Sequence, residues 1–237
     1  TTNYILSKMS DEGSEFVVAL KEAQDCGYAE FDPSDDIDGI DTAYKVVLSS
    51  CKGFGVLANV GDIDIYGIRH ISAKDIAYAC KHGYVCKLIG SGVKSDSSVS
   101  GTVIPTFIPK QNIFATIPAN FNAIESDSKT LGKMTYVGQG AGSYPTAHAV
   151  VQDLIDLVLH QDTEVSFGVS VCVDNKPRVS SFYVRSVNLN RMEEVIEERI
   201  DEDTCITKRI SFVELASVMK TLEDDAVFVA EVMHDCK

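Results

Sequence analysis

The sequence predicts an α+β protein in which helices pack on a mostly antiparallel sheet, followed by a small α+β module. Three observations carry this reading. Apolar residues recur at helical spacing up to His82. From Tyr84 onward, short β-branched runs alternate with clusters of Gly, Ser, Pro and Asn, the texture of strands joined by turns. Beyond Asp162, strand and helix patterns alternate again on a smaller scale, which places a unit boundary between 1–162 and 163–237.

Residues 1–26 read as two helices. Phe16, Leu20 and Ala23 share a face, Ser14 is a candidate N-cap, and Gly27 stands where a left-handed residue ends a helix. Residues 30–41 form an acidic, turn-rich loop. A third helix begins near Ile40, with Ile40, Ala43, Tyr44, Val47, Leu48 and Cys51 as its buried stripe, and Gly53 and Gly55 at its end. Ala73–His82 is a shorter helix closed by Gly83, and its dipole favours His82 at the C-terminus.

Strands are expected at Val85–Ile89, Val99–Ile108, Asn112–Ile117, Asn122–Glu125 and Met134–Val137. Gly138-Gln139-Gly140-Ala141-Gly142 then leads into an amphipathic helix from about Pro145 to His160. Its apolar stripe is Ala147, Val150, Val151, Leu154, Leu157 and Val158. In the tail, Val165–Val173, Val179–Val187, Thr204–Ile210 and Ala226–Met233 read as strands, and Met192–Arg199 and Phe212–Leu222 as helices.

The net charge is −14, from 35 acidic and 21 basic residues among 237. Such a surface repels phosphate backbones and anionic lipid, so no nucleic-acid or membrane role is expected. No apolar run reaches the roughly 20 residues that span a bilayer. Seven cysteines, at 26, 51, 80, 86, 172, 205 and 236, show no CxxC spacing and read as reduced thiols of a cytoplasmic protein. The histidines 70, 82, 148, 160 and 234 have no partner at metal-ligand spacing, so no metal site is expected. The serines around Asp96–Ser100 carry no nucleophile motif, and GxSxG does not occur. The opening at Thr1, without Met or a signal segment, reads as the interior of a longer protein.

The chemistry is concentrated at residues 30–45. Glu30, Asp32, Asp35, Asp36, Asp38 and Asp41 place six carboxylates in twelve positions, followed by Lys45. A solvated loop is one reading. Calcium is a poor one, since Asp36-Ile37-Asp38-Gly39 lacks the alternating acids of a calcium loop. Asp41 and Lys45 lie four apart, on one helix face. Either they form an ordinary surface pair, or they set a partly buried amine at the rim of an acidic pocket. An amine so placed can move a proton, while neighbouring carboxylates hold a substrate ammonium.

Thr2-Asn3-Tyr4-Ile5-Leu6, the run Ala19 to Pro33 containing Gly27-Tyr28-Ala29-Glu30, and Asp36-Ile37-Asp38-Gly39-Ile40-Asp41-Thr42-Ala43-Tyr44-Lys45 closely resemble homoserine dehydrogenases. So do Gly67-Ile68 with Asp75-Ile76, Lys87-Leu88-Ile89-Gly90, and Gly138 to Gly142 with Pro145-Thr146-Ala147. The resemblance covers about residues 1–160. It implies NAD(P)-dependent interconversion of L-homoserine and L-aspartate 4-semialdehyde, with NADP or NAD as cofactor. Carried over by position, Lys45 is the general acid/base, assisted by Asp41; Glu30, Asp36 and Asp41 bind substrate; and Gly27 and Gly142 approach the cofactor. It further implies a homodimer formed through the 84–137 sheet and an ACT-like regulatory tail.

The tail departs from that pattern, because Asn188–Arg191 replaces the Gly-rich turn after its first long strand. The family's nucleotide-binding unit precedes these motifs and is not in this chain. Gly138-x-Gly140-x-Gly142 is no substitute, since its spacing is GxGxG and Asp162 precedes the next strand. The chain alone is therefore expected to be inactive, and the helix after Pro145 is expected to lack cover within it. A non-catalytic dimerisation or regulatory fragment that senses an amino-acid end product is the alternative reading.

Overall fold

A computed structural model describes residues 1–95, 98–159, 169–171 and 173–234. The boundary at 162/163, most of the strand expected at Val165–Val173, and Asp96, Ser97, His160, Cys172 and Cys236 lie outside the described residues.

In chain order the elements are α1 (Thr2–Glu12), α2 (Phe16–Asp25), α3 (Ser34–Ile37), α4 (Ile40–Phe54), β1 (Val56–Leu57), β2 (Asp64–Ile65) and α5 (Ala73–Lys81). Then come β3 (Tyr84–Lys94), β4 (Val99–Pro109), β5 (Phe121–Ser128), β6 (Gly132–Gln139), α6 (Ser143–Val158) and β7 (Val169–Ser170). The tail contributes β8 (Val179–Arg185), β9 (Ile196–Arg199), β10 (Thr204–Thr207), β11 (Ile210–Ser211), α7 (Phe212–Leu222) and β12 (Phe228–Val232).

The expected class holds: this is an α+β fold on a mixed sheet. The main sheet runs β2-β4-β12-β8-β10-β9, with β3 on β4 and β11 on β8. β12 pairs parallel to β4, Glu231 opposite Thr106, and antiparallel to β8, so one sheet joins the early and late parts of the chain. Alternation along the strands sorts the core. Val103, Phe107 and Tyr183 face the side covered by α1, α2, α4 and α5, while Phe182 and Val184 face α7 with Phe212 and Leu215.

Several expectations change. Residues 113–116 form a 3-10 helix, not a strand, because the Asn112 side chain accepts the Phe114 amide at 2.9 Å and so nucleates a turn. Met192–Arg199 is not one helix. Leu189–Val195 is a 3-10 turn, and Ile196–Arg199 is a strand claimed by pairing with β10. The acidic loop contains α3, and the N-cap of α2 is Glu15, not Ser14.

On α4 the buried positions are Ala43, Val46 and Ser50, whereas Tyr44 and Leu48 are exposed. The sheet decides this rotation. Val46 sits where β3 has no side chains: a Cβ on Gly90 would come within 2.6 Å of its Cγ2, and one on Gly92 within 2.6 Å of Ser50 Oγ. α4 can approach the sheet closely only with that face inward.

Two pieces stand away from the core. The β5–β6 hairpin exposes Ile124, Tyr136 and Val137. No residue of α6 is buried, and Val150, Val151, Leu154, Leu157 and Val158 are all exposed. Among the described residues nothing covers the apolar face of this amphipathic helix.

Candidate active site

The acidic segment is built in short steps. Asp32 Oδ1 accepts the Ser34 amide at 3.1 Å and the Ser34 hydroxyl at 2.7 Å, a local turn that starts α3. Those bonds hold the Asp32 carboxyl below its usual value. Gly39 links α3 to α4, so Asp36 precedes Asp41 and Lys45 by a single turn of chain.

The structure brings Lys45 onto Asp41, and among the described residues no hydrogen bond or ion pair joins the Asp36 carboxylate to either of them. Lys45 Nζ itself bonds to Asp41 Oδ2, one helical turn back. The two side chains are 60% and 41% exposed. Of the two readings that the spacing allowed, the exposure within this chain is that of a surface pair and not of a partly buried amine.

The remaining acids are arranged differently. Among the described residues no hydrogen bond or ion pair engages the Glu30 carboxylate; its carbonyl oxygen accepts Gln24 Nε2 at 2.9 Å. Asp38 is taken by Arg69, whose Nε and Nη2 reach Oδ1 and Oδ2 at 2.7 and 2.6 Å. Hydrogen bonding to Asp38 pushes the guanidinium above its ordinary value. Arg69 lies 31 positions from Asp38, and no spacing rule relates the two. Among the described residues no three His, Cys, Asp or Glu side chains gather to hold a metal ion.

Gly27 and Gly142 both have left-handed backbones, φ 73° and 125°. Gly27 ends α2: the Tyr28 amide returns to the Ala23 carbonyl at 2.8 Å, so helix termination alone accounts for this residue. A Cβ on Gly27 would meet nothing within 4 Å, and one on Gly142 only Pro145 at 3.6 Å. Both positions leave open space beside the backbone, as the close approach of a nucleotide requires.

Sequence reasoning gave Lys87 no role of its own. Its Nζ is buried and donates to Asn3 Oδ1 at 2.7 Å and to the Ile117 carbonyl at 2.8 Å. Asn3 Nδ2 in turn holds the Ile117 and Phe121 carbonyls at 3.1 and 2.9 Å, which fixes the root of the β5–β6 hairpin to α1.

Comparison with known proteins identifies the family. The profile of the family described as homoserine dehydrogenase matches residues 1–155. The chain belongs to the homoserine dehydrogenase family. It is 42% identical over 162 residues to homoserine dehydrogenase of Synechocystis, covering 67% of this chain and 37% of that protein. Against the Neisseria gonorrhoeae homoserine dehydrogenase it is 41% identical over 157 residues, 66% of this chain and 36% of the relative. The chain thus spans little more than a third of the length of these curated relatives.

Among solved structures, the homoserine dehydrogenase of Thiobacillus denitrificans superposes with a TM-score of 0.77 at 27% identity, covering 98% of this chain and 62% of that one. The Staphylococcus aureus homoserine dehydrogenase at pH 7.5 gives 0.73 at 30% identity, covering 99% and 63%. Structural likeness to homoserine dehydrogenases therefore continues past the last residue that the family profile matches. A hyperthermophilic archaeal homoserine dehydrogenase in complex with NADPH matches 67% of the chain and 44% of its own, with a TM-score of 0.51 at 29% identity.

Proposed function

We propose that this chain supplies the substrate-binding and proton-transfer half of an NAD(P)-dependent homoserine dehydrogenase, which interconverts L-homoserine and L-aspartate 4-semialdehyde. The observation that carries the reading is Lys45 seated on Asp41, on the helix that directly follows the turn carrying Asp36. Substrate is an amino alcohol. Its ammonium group calls for carboxylates, supplied by Asp36, Asp41 and Glu30, and its hydroxyl calls for a base. Lys45 as free amine takes the hydroxyl proton during oxidation; as ammonium it returns a proton to the carbonyl oxygen in reduction. Asp41 orients Nζ in both directions. NADP or NAD would be held mainly by a nucleotide-binding unit outside these 237 residues and would supply the hydride acceptor or donor; Gly27 and Gly142 leave room for its approach. That unit covers the exposed face of α6 and excludes water from the open side of Lys45.

A homodimer belongs to the same reading. β3 pairs along its whole length with β4 on one side, and among the described residues no strand pairs with its other edge. An eleven-residue open edge beside an exposed hairpin suits a second copy.

The test uses the full-length protein that carries this segment, with L-homoserine and NADP or NAD followed by nicotinamide absorbance. Wild type should turn over, and Lys45→Ala should lose roughly 10²–10⁴-fold in kcat, the usual contribution of one acid/base group. The 237-residue chain alone should be inactive. An unchanged rate in the Lys45 variant removes that residue from the chemistry, and turnover by the isolated chain refutes the division of labour.

A further inference from the structure

The short connection between β2 and α5 grips α3 at both ends. At Gly67 backbone meets backbone: a Cβ there would lie within 2.5 Å of Asp38 Cα and on top of the Ile37 carbonyl. The Ile68 amide donates to that carbonyl at 2.7 Å, and the Ile68 and Ile37 side chains share one core. Arg69 reaches both ends of the helix, with its two-pronged bond to Asp38 just past the end and Nη2 on Ser34 Oγ at 3.1 Å at the start.

A four-residue helix has too few internal bonds to hold its own shape. Its geometry must come from what grips it. The tail steadies the grip from behind, since Arg185 Nη2 donates to the His70 carbonyl at 2.6 Å.

We propose that Gly67, Ile68 and Arg69 form a clamp that positions the turn carrying Asp36 at the start of α4, the helix of Asp41 and Lys45. Arg69 also occupies Asp38, so that this carboxylate does not draw the substrate ammonium away from Asp36. Arg69 is a positioning residue: it touches the turn and not the reacting atoms. The proposal rests on the substrate-binding role given to Asp36 above, and it accounts for an acidic loop in which only part of the charge is free for a ligand.

Two measurements test it. In the 237-residue chain, Arg69→Ala and Asp38→Asn should each speed amide hydrogen exchange at 36–39 by about tenfold while leaving β3–β4 unchanged, the signature of local opening. In the full-length enzyme the same variants should raise KM for homoserine about tenfold with kcat within about threefold, which marks lost binding and not lost chemistry. Arg69→Lys should fall between, because an ammonium cannot reproduce the planar two-pronged contact. Unchanged exchange at 36–39 in both variants overturns the clamp; unchanged KM overturns its positioning role. If the wild-type enzyme fails to oxidise homoserine, the functional reading falls, and the exchange measurement still decides whether the clamp exists.

Discussion

Asp75 and Arg185 stand 110 positions apart and meet through two hydrogen bonds, 2.9 Å from Nε and 3.1 Å from Nη2. The Asp75 carboxylate has no solvent exposure. It also accepts the Tyr183 hydroxyl at 2.8 Å, and the amide and hydroxyl of Ser72 at 2.8 and 2.7 Å. One side chain thus caps α5 and ties β8 to it. A buried carboxylate with this many donors is satisfied, and taking away a donor leaves a desolvated charge behind.

Removing the cationic partner should therefore cost far more than a surface pair. Arg185→Leu is expected to lower stability by about 3–5 kcal/mol, the range for breaking a buried ion pair by deleting one side. Urea denaturation followed by far-ultraviolet circular dichroism gives the number directly. A loss under about 1 kcal/mol, the level of an exposed pair, contradicts this account of Asp75.

Close packing of α4 on β3 predicts a second effect. Gly90→Ala places a methyl within 2.6 Å of Val46 Cγ2 and 2.9 Å of Thr42 Cγ2, so the helix must move outward. Overpacking of this kind costs about 1–3 kcal/mol. Because Asp41 and Lys45 ride on α4, the same substitution should reduce kcat in the full-length enzyme. A variant as stable and as active as wild type shows that the helix has slack there.

The apolar face of α6 should be silent in the stability of this chain. Leu154 is 56% exposed, so Leu154→Glu is expected to change the unfolding free energy by no more than about 0.5 kcal/mol. Leu215, on the inward face of α7, is fully buried, and Leu215→Ala should cost about 2–5 kcal/mol. Comparable losses from the two substitutions mean that α6 is covered in solution.

Acid should weaken one link between α5 and the tail. Lys74 bonds to Asp203 and, at 2.9 Å, to Asp201. Desolvation pushes the Asp201 carboxyl up, but hydrogen bonds from Lys74 and from the Asp203–Thr204 turn outweigh it and bring the group down to about 2. A carboxyl depressed in the folded state adds stability that is complete above the unfolded value, near 3.8, and is lost as pH falls toward about 2. The advantage of wild type over Asp201→Asn in thermal unfolding should be present near about pH 6 and shrink through that window. A difference that does not change with pH points to packing and not to charge.

The parts of this protein legible in its sequence are those set by local spacing. Asp41 and Lys45 are four apart on a helix, and their contact follows from helical geometry alone. α7 is found at Phe212–Leu222 as read, with Ser211 and Glu214 forming a capping box at its start. What local pattern cannot carry is set by distant chain. The inward face of α4 is chosen by Gly90 and Gly92 on another element, so the apolar stripe counted along the helix was displaced onto Tyr44 and Leu48. Ile196–Arg199 has a helix-compatible composition, but Thr204–Thr207 offers it an edge. The Arg69–Asp38 pair depends on β2 and α5 delivering a side chain to α3, and no motif announces that.

The position of β12 bears on assembly during synthesis. Translated after every other strand described, it lies between β4 and β8 and joins them. Until the ribosome has released Phe228–Val232, β4 and β8 each carry an unsatisfied row of amides and carbonyls toward the gap. Nascent copies stalled upstream of Phe228 would therefore present two sticky margins at once, and this late insertion makes the interval before release the one in which chaperones matter most.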